Sequence, residues 1–512
     1  NMIADKLKPY QREAAERIAA SKSMLLADQP GLGKTYTSLG ALELSGVLKP
    51  GAVVIIAGPL ITCDTAWFAT ISTNMPEVNL IDGFTGSRAK RERRVRESLS
   101  DVIPNIVVTN HESLGVSKSG VPALPILHEV PIAAILIDES HAVLPMDYDY
   151  PNQATQFWRG LYALNNADDT EILRLAISGT PDRGKHHYRF GTWRFLLPKA
   201  LAPARIKYDE WLRKNFYTYQ VTVPVKRKGG QPFEATITKV GHMLNHVAWT
   251  RIDKAMMIRR TKAEVAQQLP AKQYIDIDVP FSDKLLEAYQ EFTNEFLKED
   301  DGSTGNALTF AIRAMQFATC MWQFHDDILF PIIGGESPKR DWLIHWLKER
   351  NLHRDAEELP QSQVVISSQY TRVLNWLKEE LNVHGITAEI LSGDTSHPER
   401  KRIQEAFQDT SNPLRVVLLS STLGVGIDLD AADDLIFIDI PRNPDIQEQV
   451  EDRIHRVSRV HQVTIWRLRS RGTIDMAIAA KNDDTFQKTR ALMDGVRSVD
   501  FERNILTRIG IR

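Results

Sequence analysis

Three stretches of the chain carry residues whose types and spacing suit phosphate chemistry. In "LLADQPGLGKTYTSLGAL" (residues 25–42) an apolar run meets a loop with Gly31 and Gly33, then Lys34, Thr35 and a helix-like stretch. Backbone N–H groups at such a loop and at the start of the helix bind anions through directed hydrogen bonds and the helix dipole. Lys34 would reach the outer phosphates of a nucleotide, and the Thr35 hydroxyl would hold magnesium. A strict phosphate-loop pattern wants glycine where this chain has Asp28, and a plain strand–turn–helix with a surface lysine is the bland alternative. "ILIDESH" supplies a second element. Asp138 can hold the magnesium through water, because hard cations take oxygen ligands. Glu139 can orient and polarise an attacking water. In "DIQEQVEDRIHRVSR", Gln449, Arg453 and Arg456 are spaced to share one helix face. Guanidinium groups facing a phosphate stabilise charge that develops during transfer; a solvated basic face is the competing reading.

Smaller signals surround these. His141 could tie the site to the next strand, or be a polar loop residue. "AISGTP" places Ser178 and Thr180 about a glycine, suited to bridging His141 or Glu139 to a second sheet. In "LLSSTLGVGIDLD", Thr422 could grip a nucleic-acid phosphate, Gly424 and Gly426 allow close backbone approach, and Asp428 could touch ribose or a magnesium-bound water.

These groups need rigid elements to carry them. Short apolar runs alternate with helix-length segments twice over: "SMLLA", "AVVIIAG", "NIVVTN", "AAILID" and "LRLAIS", then "QVVIS", "AEILSG", "RVVLLSS", "DLIFID" and "VTIWRL". Buried parallel strands read this way, so each half predicts one α/β sheet with chemistry at its strand ends. From 183 to about 257 the pattern changes, and two alternating runs flank "KGGQ" as a β-hairpin. From Phe281 to Trp346 it is helical, with Leu285, Leu286, Tyr289, Phe292 and Phe296 on one stripe.

Composition bounds the rest. The chain has 512 residues, 43% of them hydrophobic and 25% charged, with 63 basic against 65 acidic side chains. The balance predicts an ordinary globular protein, and any nucleic-acid binding must come from local surfaces rather than net charge. Two distant cysteines, Cys63 and Cys320, exclude a disulfide framework or a cysteine-rich zinc module and fit a reducing compartment. No apolar run is of bilayer-spanning length, and none reads as a signal peptide. Asn1 before Met2 reads as a remnant of expression.

The order of these motifs resembles helicase superfamily 2 ATPases of the Swi/Snf family. "LKPYQREAAERI", "DQPGLGKT", "DESH" and "SGTP" resemble the family's first-lobe motifs. "MMIRRTKAEVAQQLPAK" resembles its inter-lobe segment, nearest the HepA-related (annealing helicase) branch. "VVISSQYT", "ILSGDTSHPERKRIQEAF", "LLSSTLGVGIDLDAAD" and "QVEDRIHRVSR" resemble its second-lobe motifs. Gln29 and Pro30 stand where the family usually has Glu-Met, and "HRVSR" stands where it has "HRIGQ".

The resemblance implies an α/β fold of two RecA-like P-loop NTPase lobes with helical insertions. The expected layout is lobe 1 at 1–250 (insertion 183–250), a linker at 251–280, a helical insertion at 281–346, lobe 2 at 347–475 and a C-terminal helical segment at 476–512. It implies ATP and Mg2+ as cofactors, adenine read by Gln11, and an ATP-dependent translocase on double-stranded or branched DNA. A strand-separating helicase, or a nucleic-acid-binding module gated by ATP without turnover, are the alternatives. Phosphate contacts are expected from Thr62, Thr109, Asn110, Ser368, Gln369, Ser392, Arg400 and Thr422, and from the basic runs at 88–96 and 226–230. A monomer is expected, cytoplasmic in a bacterial or viral host cell, or nuclear in a eukaryote. The bare core fits a compact bacterial or viral enzyme or an excised motor domain.

Overall fold

In the computed structural model the N-terminal apolar runs become β1 (Ser23–Leu26), β2 (Val53–Gly58), β4 (Asn105–Asn110), β5 (Ile132–Ile137) and β6 (Leu173–Ile177), and a half-polar strand, β3 (Asn79–Asp82), lies between β2 and β4 in sequence. A two-stranded ribbon follows, β7 (Phe216–Val225) with β8 (Phe233–Met243), and then the short β9 (Met257–Ile258). The structure describes residues 3–144, 155–164, 172–181, 186–198, 208–225, 233–244, 246–265, 270–298, 304–320, 322–325, 328–331, 336–353, 362–409, 411–423, 427–456 and 461–493.

Seven of these strands form one parallel sheet in the order β3-β4-β2-β5-β6-β1-β9. Its central strands are apolar on both faces because helices cover both. Val53, Ile55 and Ala57 enter one core with Trp158 and Phe190, while Val54 and Ile56 enter the other with Trp67 and Met75. Parallel pairing puts every strand's C-terminal end on the same edge. The segments that follow β1, β2, β5 and β6, which bring in Lys34, Thr62, Asp138 and Ser178, therefore leave from that edge.

The second unit holds β10 (Gln273–Val279), an antiparallel pair β11 (Trp322–His325) and β12 (Ile328–Pro331), then β13 (Val364–Ser368), β14 (Ala388–Leu391), β15 (Val416–Ser420), β16 (Asp434–Phe437) and β17 (Thr464–Ser470). Six of them form a parallel sheet, β10-β17-β16-β13-β15-β14. Two α/β sheets, one per half, are the architecture of two RecA-like lobes.

The chain divides into Asn1–Val221 with Thr236–Gln267, and Thr222–Ala235 with Gln268–Arg512. Several expected boundaries shift. The stretch 251–280 is not a bare linker, since it contributes β9 to the first sheet and β10 to the second. Within the expected insertion 183–250, helix Arg189–Leu196 is buried along its whole length, with Phe190, Trp193 and Phe195 in the first core. The expected hairpin is present as β7 and β8, while "KGGQ" lies outside the described residues. Within 281–346, helices Asp283–Lys298 and Thr304–Cys320 pack through Leu285, Tyr289 and Phe317. Helix Pro338–Glu349 instead buries Leu343, Trp346 and Leu347 in the core of the second sheet.

Candidate nucleotide site

The phosphate loop leaves β1 at Leu26 and ends where Lys34 starts a helix running to Leu44. Gly31 (φ 85°) and Gly33 (φ 78°) take the left-handed conformation that glycine adopts without strain. Gly33 is fixed sterically as well: a Cβ there would lie 2.4 Å from Gln11 Nε2. Lys34 Nζ donates to the Asp28 carbonyl at 3.0 Å, spanning the loop. Thr35 follows in the first turn, partly exposed.

Asp28, the departure from a strict phosphate-loop pattern, has a structural reason. Its carboxylate is fully buried and meets Arg260 side-on, with Arg260 Nε donating to Oδ1 at 3.0 Å and Nη2 to Oδ2. Gln11 is also committed to the loop. Its Nε2 donates to Leu32 O at 3.0 Å, and its Oε1 accepts from Lys8 N at 3.0 Å. Each atom keeps capacity for one further hydrogen bond.

β5 delivers the two carboxylates. Asp138 is held in place by Trp67 Nε1, which donates to Oδ2 at 2.9 Å, and by Glu139 N, which donates to Oδ1 at 3.0 Å. Each oxygen still has a lone pair for a metal-bound water. Trp67 sits in a π-helical turn, Cys63–Phe68, within the helical stretch that follows β2; such turns often occur at functional positions. Glu139 has φ 46°, a strained conformation for a non-glycine residue, which turns its side chain away from the strand direction. Glu139 Oε2 lies 3.2 Å from His141 Nδ1, which is also 2.7 Å from Ser178 Oγ. Ser178 Oγ in turn accepts from Thr180 N at 3.1 Å. The bridge expected from "SGT" was to the second sheet; the contact formed instead joins β5 to β6 within the first sheet. Gly179 completes the convergence: a Cβ there would lie 2.9 Å from the Pro30 ring and 3.6 Å from Lys34 Nζ.

In the second unit, helix Pro444–Ile454 carries Gln449 and Arg453. It ends at Ile454, so Arg456 lies just beyond the helix rather than one turn further along its face. Arg453 is buried and donates to Leu423 O. Burial, with the neighbouring Arg456 charge, lowers its pKa to about 10, which still leaves it charged at neutral pH. Arg456 is paired with Asp428, so that carboxylate, expected at ribose or a metal-bound water, is engaged by a guanidinium. Gly424 and Gly426 lie outside the described residues.

The expected phosphate contacts divide by exposure. Thr62, Thr109, Ser368 and Ser392 are buried. Thr62 Oγ1 donates to Pro59 O at 2.9 Å, Thr109 Oγ1 to Gly83 O at 2.8 Å, and Ser368 Oγ to the Asp439 carboxylate. Ser392 closes a turn by accepting Thr395 at its carbonyl and donating its N–H to Thr395 Oγ1 at 3.0 Å. In this conformation these four shape loops rather than present hydroxyls to a ligand. Thr422 is exposed. Asn110, Gln369 and Arg400 are partly exposed and held by neighbours: Asn110 by Arg91, Gln369 by Asp439, and Arg400 by the Ser392 and Gly393 carbonyls. In the run 88–96, Arg91, Arg94 and Arg96 are engaged with Asn110, Asp82 and Glu129, leaving Lys90 and Arg93 exposed. The run 226–230 lies outside the described residues. Among the described residues no group of three His, Cys, Asp or Glu could form a protein-only metal cage, and none of the helices is long and apolar enough to cross a membrane.

Residues 10–324 match the model of the SNF2-related domain, and residues 340–461 match that of the helicase conserved C-terminal domain. The chain is 25% identical over 494 residues to the ISWI chromatin-remodeling complex ATPase ISW2 of Saccharomyces cerevisiae, covering 92% of this chain and 39% of that protein. It is 25% identical over 501 residues to the ATP-dependent DNA helicase DDM1 of Arabidopsis thaliana, covering 93% of this chain and 60% of that one. The chain thus spans less than two thirds of either relative. A solved structure, the Sulfolobus solfataricus SWI2/SNF2 ATPase core in complex with dsDNA, aligns over 99% of this chain and 96% of that one, at 22% identity and a TM-score of 0.37.

Proposed function

The chain belongs to the SNF2-related family, and from that premise we propose that it is an ATP-dependent motor that moves along double-stranded DNA and remodels DNA structures or protein–DNA complexes. The observation that carries this reading is the convergence of Lys34, Asp138 and Glu139, with the His141–Ser178 bridge, at the C-terminal edge of one parallel sheet.

The backbone N–H groups of the loop and the helix starting at Lys34 would cradle the phosphates. Lys34 would exchange its bond to the Asp28 carbonyl for the outer phosphates. Thr35 and Asp138 would hold magnesium, which when bound neutralises charge on the phosphate oxygens. Glu139 would align the attacking water, with His141 and Ser178 fixing its carboxylate. Gln11 would use its remaining hydrogen-bonding capacity on adenine. Arg453 and Arg456, from the other unit, would stabilise charge on the same triphosphate, so that hydrolysis alters how the two units engage.

Phosphate contacts carry no base information, so movement would not depend on sequence. The exposed Thr422 and the partly exposed Asn110, Gln369 and Arg400 are the first candidates for that track, and the likeness of residues 256–272 to the HepA-related branch favours branched DNA among the substrates.

The test is the ATPase rate of the wild-type chain alone and with single-stranded DNA, duplex DNA, forks and RNA. Duplex and forked DNA should stimulate most, and the log affinity should fall by about 0.9 per neutralised phosphate with log salt. Triplex displacement without unwinding of a fork would mark a translocase; unwinding of the fork would mark a strand-separating helicase. Nucleotide binding with no turnover under any condition would leave an ATP-gated binding module.

A further inference from the structure

The segment joining the two units is bonded to a different functional element at each end. At its N-terminal end, Met257 and Ile258 pair in parallel with Leu25 and Leu26. The pairing continues past the strand into the phosphate loop: Ala27 N donates to Ile258 O at 2.7 Å and Gln29 N to Arg260 O at 3.0 Å. Lys262 N donates to Gln29 Oε1 at 2.7 Å. Side chains reinforce the backbone. Arg259 Nη1 donates to Ala27 O at 2.7 Å and to Gly179 O at 3.0 Å. Arg260 makes a two-point pair with the buried Asp28 carboxylate, donates to Tyr10 O, and packs over the Tyr10 ring at 5.1 Å. Tyr10 in turn donates its hydroxyl to Leu32 O at 3.1 Å. Arg260 thus grips both the loop and the helix that carries Gln11.

At its C-terminal end the same segment grips the arginine-bearing helix. Lys272 Nζ lies 2.9 Å from Glu451 Oε2 and 3.1 Å from Asp452 Oδ1, the two residues immediately before Arg453. Tyr274 adds its hydroxyl to Glu451 Oε2 at 2.8 Å, and Pro270 O is 2.8 Å from His455 Nε2. Burial opposes the Lys272 charge, but the Asp452 and Glu451 carboxylates raise its pKa well above the ordinary lysine value.

We propose that this segment is a strap with two working ends, residues 257–262 and 270–274, in which Arg260 positions the phosphate loop through Asp28 and Lys272 positions Arg453 through Glu451 and Asp452. The strap's part in catalysis rests on the ATPase reading above; its part in holding the two elements does not. On this account the aspartate in "DQPGLGKT" is an anchor for the strap. The family-like run "MMIRRTK…LPAK" is then read as two anchors, "RR" and "K", separated by a short connection. Arg260 and Lys272 are positioning residues, because neither is placed against substrate.

Two measurements on the full chain separate this from a merely structural role. The first is hydrogen exchange without nucleotide. Arg260→Ala and Asp28→Ala should each speed amide exchange at 27–35 while leaving 444–456 unchanged, and Lys272→Met should do the reverse. The second is steady-state ATP hydrolysis. Arg260→Ala and Asp28→Ala should each raise the KM for ATP by about tenfold, the worth of a charge-assisted hydrogen bond. The double variant should be no worse than either single one, since both remove the same link. Arg260→Lys should recover part of the loss by keeping one donor and the charge. Lys272→Met should lower kcat by about tenfold with the KM for ATP unchanged, because it acts through a residue that serves the transition state. Unchanged exchange at both segments, or variants that lower the melting temperature alike without separating KM from kcat, would overturn the proposal. A wild-type chain that does not hydrolyse ATP would refute the ATPase reading, and the exchange experiment would still decide whether the strap holds its two ends.

Discussion

Trp67 Nε1 donates to Asp138 Oδ2 at 2.9 Å, so an indole from the first helical stretch after β2 orients the carboxylate assigned to magnesium. The tryptophan is itself buried in the second core of its sheet. Its π-helical turn begins immediately after Thr62 and follows the exposed Leu60, which opens the helical stretch after β2.

Trp67→Phe keeps the ring and removes the donor. We expect a raised magnesium requirement for ATPase activity, with activity down by about 10–100-fold at limiting metal, the usual cost of removing a partner that orients a metal ligand. A magnesium titration of the rate checks this, and recovery at high magnesium would separate a positioning effect from misfolding.

Glu139→Gln should retain ATP binding and lose turnover by about 10²–10⁴-fold, as expected for loss of a general base. Ser178→Ala should produce a smaller loss of kcat, about 1 kcal/mol in barrier, because it frees His141 without removing the carboxylate. Turnover at the wild-type rate for Glu139→Gln would remove that residue from its assigned role.

Arg453→Ala should leave nucleotide affinity close to wild type while lowering kcat by about 10³-fold or more, the signature of a guanidinium that meets charge formed in the transition state. Arg453→Lys should not restore activity, because an ammonium lacks the planar fork. Equilibrium binding of ATP beside single-turnover kinetics gives both numbers.

His111 predicts an acid limb in stability. Burial holds its pKa below the ordinary 6.5, outweighing its bond to the Asp138 carbonyl. Unfolding frees the imidazole to bind a proton, so just below pH 6.5 the unfolded chain carries more protons than the folded one. Stability is therefore fully present above that range and is lost as the pH falls from about 6.5 through the folded value. Half-buried His128 contributes with the same sign. His111→Gln should flatten this limb in thermal melts between pH 7 and pH 5.

Periodicity made the sheets legible, because a strand buried on both faces must be a continuous apolar run. All ten runs noted in the sequence became strands. Five strands went unread, among them the β11–β12 pair, which lies inside the stretch 281–346 read as helical. β3 is half-polar on a sheet edge, β9 is two residues long, and β10 alternates with the acidic residues Asp276 and Asp278. Those aspartates bond Arg467 and Arg469 on the paired β17, an arrangement visible only once the register is known.

At the proposed site, Lys34, Asp138 and Glu139 could be singled out because their spacing from glycines and strand ends is local. The link from His141 to Ser178 was readable as a choice between neighbours. Trp67, Asp28, Arg260 and Lys272 were not assigned, since each acts across a separation set by tertiary structure: 71 residues for Trp67 to Asp138, and 232 for Arg260 to Asp28. The signal available was the mismatch itself, an aspartate in a position that phosphate binding alone gives to glycine. Thr62, Thr109, Ser368 and Ser392 are bonded within their own loops in this conformation, because a small polar residue at a strand end caps its own loop as readily as it meets a ligand.

The central claim is that Lys34 and Arg453, carried by different α/β units, act on one triphosphate. The most direct measurement is an experimental structure of the Glu139→Gln chain with magnesium, ATP and duplex DNA. The account predicts Lys34 Nζ and the Arg453 guanidinium both within hydrogen-bonding distance of the terminal phosphates, with Asp138 at the metal. Arg453 remaining buried against Leu423, away from a fully bound nucleotide, would contradict it.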